Sequence, residues 1–461
     1  MHVKRAYAVS VSSATRSFSA ASLRAVLEAH IPAGATGLVV ALSGGADSSS
    51  LLAAAAALGA TFRGLGLRAV HVDHGLQSAA AAFGETCVAL CAGLDVPLAV
   101  IPAVVRTPPG ASLEAAARDA RYAALAAELK PGECLLTAHH SEDQAETLLL
   151  QALRGAGLKG LSAMPACRPL GRGWHLRPVL EVPRHELLAF GARWCGASAV
   201  DPMNEDLRFD RSYLRRQVWP LIEARWPGSA SALSRTARHA AEAQELLDRA
   251  AAADVSRLRD GDALSVPALR TLGPNARINA VRFWLCDAGV EPPPAARVTE
   301  ALRQMLEADV DQLPAIVWGN HALRRYRQRV FLTQAGPPRL EGTRLWPLAP
   351  DSRVDLGPGL GTLRWIAQLG GIDAQRLPET VVVRRRSGGE VLKPAAQART
   401  QTLQHLCQDE GVLPWMRDAL PLVFAGDALI AVADLWLDAR WRTRAHEPGL
   451  AICWEQAPII V

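Results

Sequence analysis

Leu38-Val39-Val40-Ala41-Leu42-Ser43-Gly44-Gly45-Ala46-Asp47-Ser48-Ser49 is the stretch that decides the fold class. Five apolar residues make a buried strand, two glycines make a turn, and the apolar run Leu51 to Leu58 makes a helix at once. The glycines let the backbone approach a ligand closely and adopt conformations that a side chain forbids. N–H groups of the turn and of the first helical residues then face outward at the positive end of the helix dipole. Such a turn cradles phosphate. No lysine follows the glycines, so it is not the Gly-Lys-Ser/Thr nucleotide loop. Asp47 beside a polyphosphate requires a hard cation such as Mg²⁺ between them. The competing reading is a plain helix start capped by Asp and Ser.

Outward from this turn, strand-like runs at 37–42, 67–72, 96–101 and 134–138 alternate with helical patterns near 47–59, 78–93, 111–129 and 141–153. Short joins between alternating strands and helices imply an α/β, doubly wound parallel sheet. Ligands of such sheets lie beyond the carboxyl ends of the strands. Three further polar clusters follow predicted strands or joins. His71-Val72-Asp73-His74 closes the second strand, where it is either a ligand-binding group or a hydrogen-bonded turn. In Ser112 to Tyr122, Arg118 and Arg121 share a helix face one turn after Glu114, either as phosphate ligands or as a solvated salt-bridge ladder. In Thr137 to Thr147, His139 and His140 sit in a turn, and Asp143, Glu146 and Thr147 share a face near a helix N-terminus. Carboxylates there also stabilise the helix dipole.

Arg154-Gly155-Ala156-Gly157-Leu158-Lys159 is a glycine-rich loop with two cations, a lid, an RNA contact or a connector. After Asp201-Pro202-Met203-Asn204, the arginines Arg208, Arg211, Arg215 and Arg216 spread charge over a helix, as a phosphate-tracking surface would. Five segments result. Residues 1–34 are an N-terminal extension, whose first twenty or so residues are flexible, and 35–226 form the catalytic unit. Residues 227–334 are a mainly helical unit, 335–377 a Pro/Gly-rich linker with short strands at most, and 378–461 a small α+β unit. The last carries Arg384-Arg385-Arg386 and Trp415 with Arg417, candidates for holding RNA.

The chain has 461 residues, 49% of them apolar, with a formal net charge of +5, which permits a polyanionic partner without requiring one. Its 8 cysteines are scattered with no Cys-x-x-Cys, so a disulfide framework or zinc knuckle is excluded and a reducing cytoplasm fits. Cys87 and Cys91 read as small core residues of one helix. No apolar run reaches the length of a membrane span.

Together these residues resemble the bacterial tRNA(Ile)-lysidine synthetases. Ser43 to Ser48 is similar to the Ser-Gly-Gly-x-Asp-Ser loop of the wider PP-loop pyrophosphatase superfamily, which has a Rossmann-like domain. His71 to Leu76, Ala116 to Tyr122, Ala138 to Thr147, Arg154 to Met164 and Asp201 to Arg215 resemble the family's own blocks in order. Val383 to Glu390 and Pro414 to Arg417 resemble its C-terminal ones. Glu142 departs from the family's first aspartate. The resemblance implies ATP-dependent ligation of free L-lysine to the wobble cytidine of a CAU-anticodon tRNA(Ile), through an adenylated cytidine. It implies ATP bound by Ser43, Gly44, Gly45, Ala46, Asp47, Ser48, His71, Asp73, His74, Arg121, His140 and Glu146, with Mg²⁺ on Asp47. Catalysis falls to Asp47, Arg118, Asp143 and His139, with Asp143 and His139 or His140 as proton acceptor for lysine. Arg154, Lys159, Arg208, Arg211, Arg215, Arg384, Arg385, Arg386, Trp415 and Arg417 are implied to touch RNA. A homodimer is compatible with these expectations. The rival readings are another PP-loop tRNA-modifying enzyme such as a thiolase, and a non-catalytic RNA-binding protein.

Overall fold

The computed structural model describes residues 17–59, 61–73, 80–103, 105, 113–194, 207–309 and 312–460. His74, Ser112 and Asp201 to Asn204 lie outside them. The chain divides into two compact units, residues 1–247 and 248–461.

The first unit opens with α1 (Ala20–His30), capped by Ser19 and Ser22 in a reciprocal capping box. Over Ala20–His30 this corrects the expectation that 1–34 is an extension; residues 1–16, expected to be flexible, lie outside the described residues. Leu23 and Leu27, four apart on one face, are fully buried and join the core of the parallel sheet. Each contributes roughly 1.5–3 kcal/mol of burial. The alternating pattern then unfolds as β1 (Gly37–Ala41), α2 (Ala46–Ala56), β2 (Thr61–Phe62), β3 (Leu65–Asp73), α3 (Ala80–Leu94), β4 (Leu98–Pro102), α4 (Leu113–Glu128), β5 (Glu133–Leu136) and α5 (Ser141–Leu153). A short α6 (Leu158–Leu161) leads to the hairpin β6 (Cys167–Leu170) and β7 (Gly173–Leu176), then to α7 (Arg184–Gly191).

β1 lies at the centre, parallel to β3 on one side and to β5 on the other; β4 extends the first side and β7 the second. The chain therefore winds outward through β3 and β4, then crosses back past β1 to β5. This reversal makes the crevice between the C-terminal ends of β1 and β5 the topological switch point, where doubly wound sheets take their ligands. Strands β1 and β5 are buried nearly throughout, as residues covered on both faces must be. Cys87 and Cys91 lie buried on α3, and burial pushes their thiols up to about 12 and about 11. They are core residues, as expected.

Helix α8 (Asp210–Tyr213), a π-helical turn (Leu214–Val218) and α9 (Trp219–Arg225) follow, then the 30-residue α10 (Ser229–Leu258). In the second unit, helices Val266–Thr271, Pro274–Asp287 and Ala295–Glu307 pack with a five-stranded sheet formed mostly by 315–334. Arg325, 2% exposed, donates to the carbonyls of Met305 and Ala308 at 2.7 Å each, closing the C-terminal end of one helix.

The segment 335–377 is not a linker. Strands Thr343–Pro347 and Thr362–Leu369 enter two sheets of the last core, and Trp346 stacks on Trp365 at 4.0 Å with both rings fully buried. Its prolines and glycines sit in turns between strands, so composition alone read as a linker what burial shows to be core.

Candidate active site

Two loops meet the switch point, one after β1 and one after β5. In the first, Gly44 has φ +81°, and a Cβ there would stand 3.0 Å from the ring of Phe83, so conformation and space both demand glycine. Gly45 has an ordinary φ of −81° and a Cβ would meet only the Ser43 hydroxyl at 3.4 Å. The loop is tied down by Ser48, whose hydroxyl donates to the Gly45 carbonyl at 3.0 Å and accepts from the Ser43 amide at 3.2 Å. The Ser43 hydroxyl therefore donates to Ser48 Oγ at 3.0 Å. Helix α2 begins at this loop with no side-chain cap, which leaves its first amides for an anion. His71 is buried and its Nδ1 donates to the Leu42 carbonyl at 2.8 Å. It braces the residue before the loop; Asp73 ends β3 and is exposed.

From the second loop, His140 stands at the N-cap position of α5, and the Asp143 carboxylate accepts from the His140 amide at 3.2 Å. The His140 ring lies among three carboxylates: Nδ1 is 3.1 Å from Glu142, and Nε2 is 3.3 Å from Asp143 and 4.0 Å from Asp47. Burial opposes its charge, but Glu142, Asp143 and Asp47 outweigh it and raise the imidazole above its ordinary value. Glu142, despite its own burial, is pulled down to about 2 by His140 and the Arg184 amide. It accepts from that amide at 3.0 Å, so its longer arm reaches the first turn of α7. Glu142 is thus a cap on a neighbouring helix.

Each remaining carboxylate faces a guanidinium. Arg184 forks onto Asp47 at 2.9 and 3.1 Å. Arg215, carried on the π-helical turn, forks onto Glu146 at 2.7 and 2.8 Å and reaches Asp143 at 3.0 Å. Glu146 is 2% exposed, and burial raises its carboxyl in spite of Arg215.

On the other side of His139, Arg118, Arg121 and Arg168 each stand 5.5–5.6 Å from the centre of the Tyr122 ring. Arg177, 4% exposed, lies in the same cluster and donates to the Pro165 carbonyl at 2.7 Å. Among the described residues no carboxylate pairs with any of these four arginines. Burial and the neighbouring arginines lower Arg177 to about 10, and they lower His175 to about 2 and His139 well below its ordinary value. Among the described residues, one side of the crevice is thus acidic and closed by ion pairs, while the other is cationic with no carboxylate paired to it.

Residues 18–222 match a family model described as a PP-loop domain, 264–331 a TilS substrate binding domain, and 381–454 a TilS substrate C-terminal domain. Relatives named tRNA(Ile)-lysidine synthase include one from Alkalilimnicola ehrlichii, 43% identical over 92% of this chain and 95% of that one. One from Methylococcus capsulatus is 37% identical over 90% and 95%, and one from Coxiella burnetii 36% over 89% and 91%. The chain belongs to the tRNA(Ile)-lysidine synthase family.

Of the site residues expected from that family's pattern, the crevice gathers Ser43, Gly44, Gly45, Ala46, Asp47, Ser48, His139, His140, Asp143 and Glu146, with Arg118 and Arg121 beside His139. Arg211 donates to Thr147 at 2.8 Å, and Arg215 is committed to the carboxylates of α5, so both serve this site. Exposed Lys159 and Arg208 lie on the same unit, where Arg154 pairs with Asp210 at 3.3 Å. In the second unit, Arg384, Arg385 and Arg386 line an open depression of about 570 Å³ with Asp418. Arg386 pairs with Asp418 at 2.8 Å, Arg384 lies over the Phe424 ring, and Arg385 is exposed. Trp415 is engaged otherwise than expected: its ring packs edge-on against Tyr326 and Phe331, and Arg417 holds the Val412 carbonyl. Arg184, Arg168, His175 and Arg177 were not anticipated. His175 and Arg177, two apart at the end of β7, carry the same strand-end polar signal as the other clusters. Arg184 carries none, since only the fold brings it to a carboxylate 137 positions away.

Proposed function

We infer that this chain ligates free L-lysine to the wobble cytidine of tRNA(Ile), consuming ATP. The observation that supports placing the reaction here is the meeting, at one switch point, of a capless helix start with a carboxylate–imidazole cluster. In the proposed sequence the cytosine carbonyl oxygen attacks the α-phosphorus of ATP and pyrophosphate leaves. The lysine ε-amine then attacks the activated carbon, AMP leaves, and the new nitrogen loses a proton.

The amides at the uncapped start of α2 would hold the departing pyrophosphate, with Arg118 and Arg121 neutralising charge on the same nucleotide. A single carboxylate beside a phosphate loop suits Mg²⁺, which takes one or two carboxylates plus phosphate oxygens, so Asp47 would hold it. When bound there the ion would offset charge building on the phosphates. Free lysine arrives protonated, because its amine has an ordinary pKa of about 10.4. Asp143, with His140 Nε2 beside it at 3.3 Å, would take that proton and attract the ammonium. Selection of the CAU anticodon loop and a grip on the tRNA body by Arg154, Lys159, Arg208 and the cations of the second unit complete the reading.

The test is incubation of the full chain with ATP, Mg²⁺, labelled lysine and an unmodified CAU-anticodon tRNA(Ile) transcript. Transfer of label with release of AMP and pyrophosphate is expected. Sulfur transfer instead, or tRNA binding without any transfer, would replace this reading by one of its rivals.

A further inference from the structure

His139 was expected to accept a proton, and the hydrogen bonds behind it oppose that role. Arg177 Nη2 stands 3.2 Å and Arg168 Nε 3.4 Å from Nδ1 of His175, and a guanidinium can only donate. His175 Nδ1 is therefore the acceptor nitrogen, and the single proton of the neutral ring sits on Nε2. That nitrogen is 2.8 Å from Thr137 Oγ1, so it donates to the hydroxyl. Thr137 Oγ1 is also 2.8 Å from Nδ1 of His139. The threonine is buried, and His139 Nδ1 is the remaining partner for its hydroxyl proton. If His139 Nδ1 carried a proton instead, that hydroxyl proton would be stranded without an acceptor. Thr137 thus donates to His139 Nδ1, and the ring's own proton is on Nε2. His139 is partly exposed, its hydrogen bond to Thr137 is through Nδ1, and Nε2 is not among the buried polar atoms without a partner, so the Nε2–H is open to a ligand.

We propose that His139 is a neutral hydrogen-bond donor to an anionic oxygen of the substrate, held in one tautomer by the chain Arg177 and Arg168, His175, Thr137. It does not serve as a base, because the nitrogen that could take a proton is already spent on Thr137. Thr137, His175 and Arg177 are positioning residues, and none of them needs to touch substrate. The arginines gathered around Tyr122 suit the same purpose, since they favour an oxygen that bears or develops negative charge. The proposal rests on the ligase reading only for the identity of that oxygen.

Two measurements on the full chain test it. With ¹⁵N-histidine labelling, long-range proton–nitrogen spectra report the tautomer of each ring, and His139→Gln assigns the His139 signals. A neutral Nε2–H ring at His139 is expected, lost in Thr137→Val and restored in Thr137→Ser. A ring protonated on Nδ1, or on both nitrogens, overturns the proposal. In the lysidine assay, glutamine at this position keeps an N–H near Nε2 but has no basic nitrogen. His139→Gln should therefore stay within about tenfold of the wild type, while His139→Ala loses on the order of 10²–10³-fold, the effect of deleting one donor to a developing oxyanion. Equal loss in both variants would make His139 a base and defeat the proposal. A shift of the Nε2–H signal on adding ATP assigns the oxygen to the nucleotide, and one appearing only with tRNA assigns it to the cytidine. Absence of both shifts in an active enzyme also defeats the proposal. If the wild-type chain forms no lysidine, the ligase reading fails while the tautomer remains readable.

Discussion

At the scale of single residues, the two glycines of the phosphate loop are not equivalent. Gly44 is required by the fold, whereas Gly45 occupies ordinary backbone with room for a methyl group. A requirement at Gly45 can thus come only from a ligand. Gly45→Ala should leave the thermal midpoint unchanged within about a degree or two, because surface changes away from special features stay near ±0.5 kcal/mol. It should raise the KM for ATP about tenfold if phosphate rests against that amide, about 1.4 kcal/mol. A fallen midpoint would mean that the glycine serves folding. The Glu142–His140 pair gives a second expectation. Glu142 is depressed from 4.5 to about 2, so its contribution is present above pH 4.5 and is lost as pH falls toward 2. His140 is raised above 6.5, so its contribution is present below pH 6.5 and is lost as pH rises through the folded value. The pair therefore stabilises most between those limits. Denaturant midpoints measured against pH should show Glu142→Gln costing most there and least at either extreme.

At the scale of elements, the π-helical turn puts Arg215 opposite α5, and Glu146 is buried beneath it. Arg215→Gln should leave that carboxyl without a cation, destabilising the chain by about 1–3 kcal/mol. Because a protonated carboxyl needs no counter-charge, the loss should be larger at pH 8 than at pH 5. A pH-independent loss would show that packing of the long side chain, not charge, is what Arg215 supplies. The same elements explain what the sequence made legible. Strands with short joins and strand-end polar clusters are local signals, and they located β1, β3, β4, β5 and the loops at the switch point. Asp47–Arg184 and Glu146–Arg215 join residues far apart in the sequence, so Arg184 carries no local signal and Arg215 reads as part of a phosphate-tracking surface when it in fact closes on α5. Helix α1 goes unnoticed because its Ala/Ser-rich sequence offers few large apolar side chains, and only the burial of Leu23 and Leu27 reveals its inner face.

At the scale of the whole molecule, composition misjudged 335–377 because Pro and Gly mark turns as readily as linkers, while two buried tryptophans outweigh them. Trp415 has a packing role that its sequence context does not show: an aromatic beside arginines resembles a base-stacking platform, and the partly buried ring also packs on Tyr326 and Phe331. These two findings separate stability from RNA binding in the second unit. Trp415→Ala should lower stability by about 3–5 kcal/mol, the usual loss for a packed aromatic. Arg385→Ala should leave stability intact, weaken tRNA binding, and reduce the salt slope of log K by about one contact. Equal effects of both variants on tRNA affinity at full foldedness would return Trp415 to the RNA surface.

The Asp47–Arg184 fork has a bearing on the order in which the reaction is assembled. A carboxylate that already has a counter-ion offers less to a lone dication, which would have to displace the guanidinium first. A metal that arrives on ATP brings phosphates to receive that guanidinium, so the exchange conserves charge on both sides. If Asp47 holds magnesium as proposed, nucleotide and metal are expected to enter as one species, and magnesium without ATP to leave the Asp47–Arg184 pair in place.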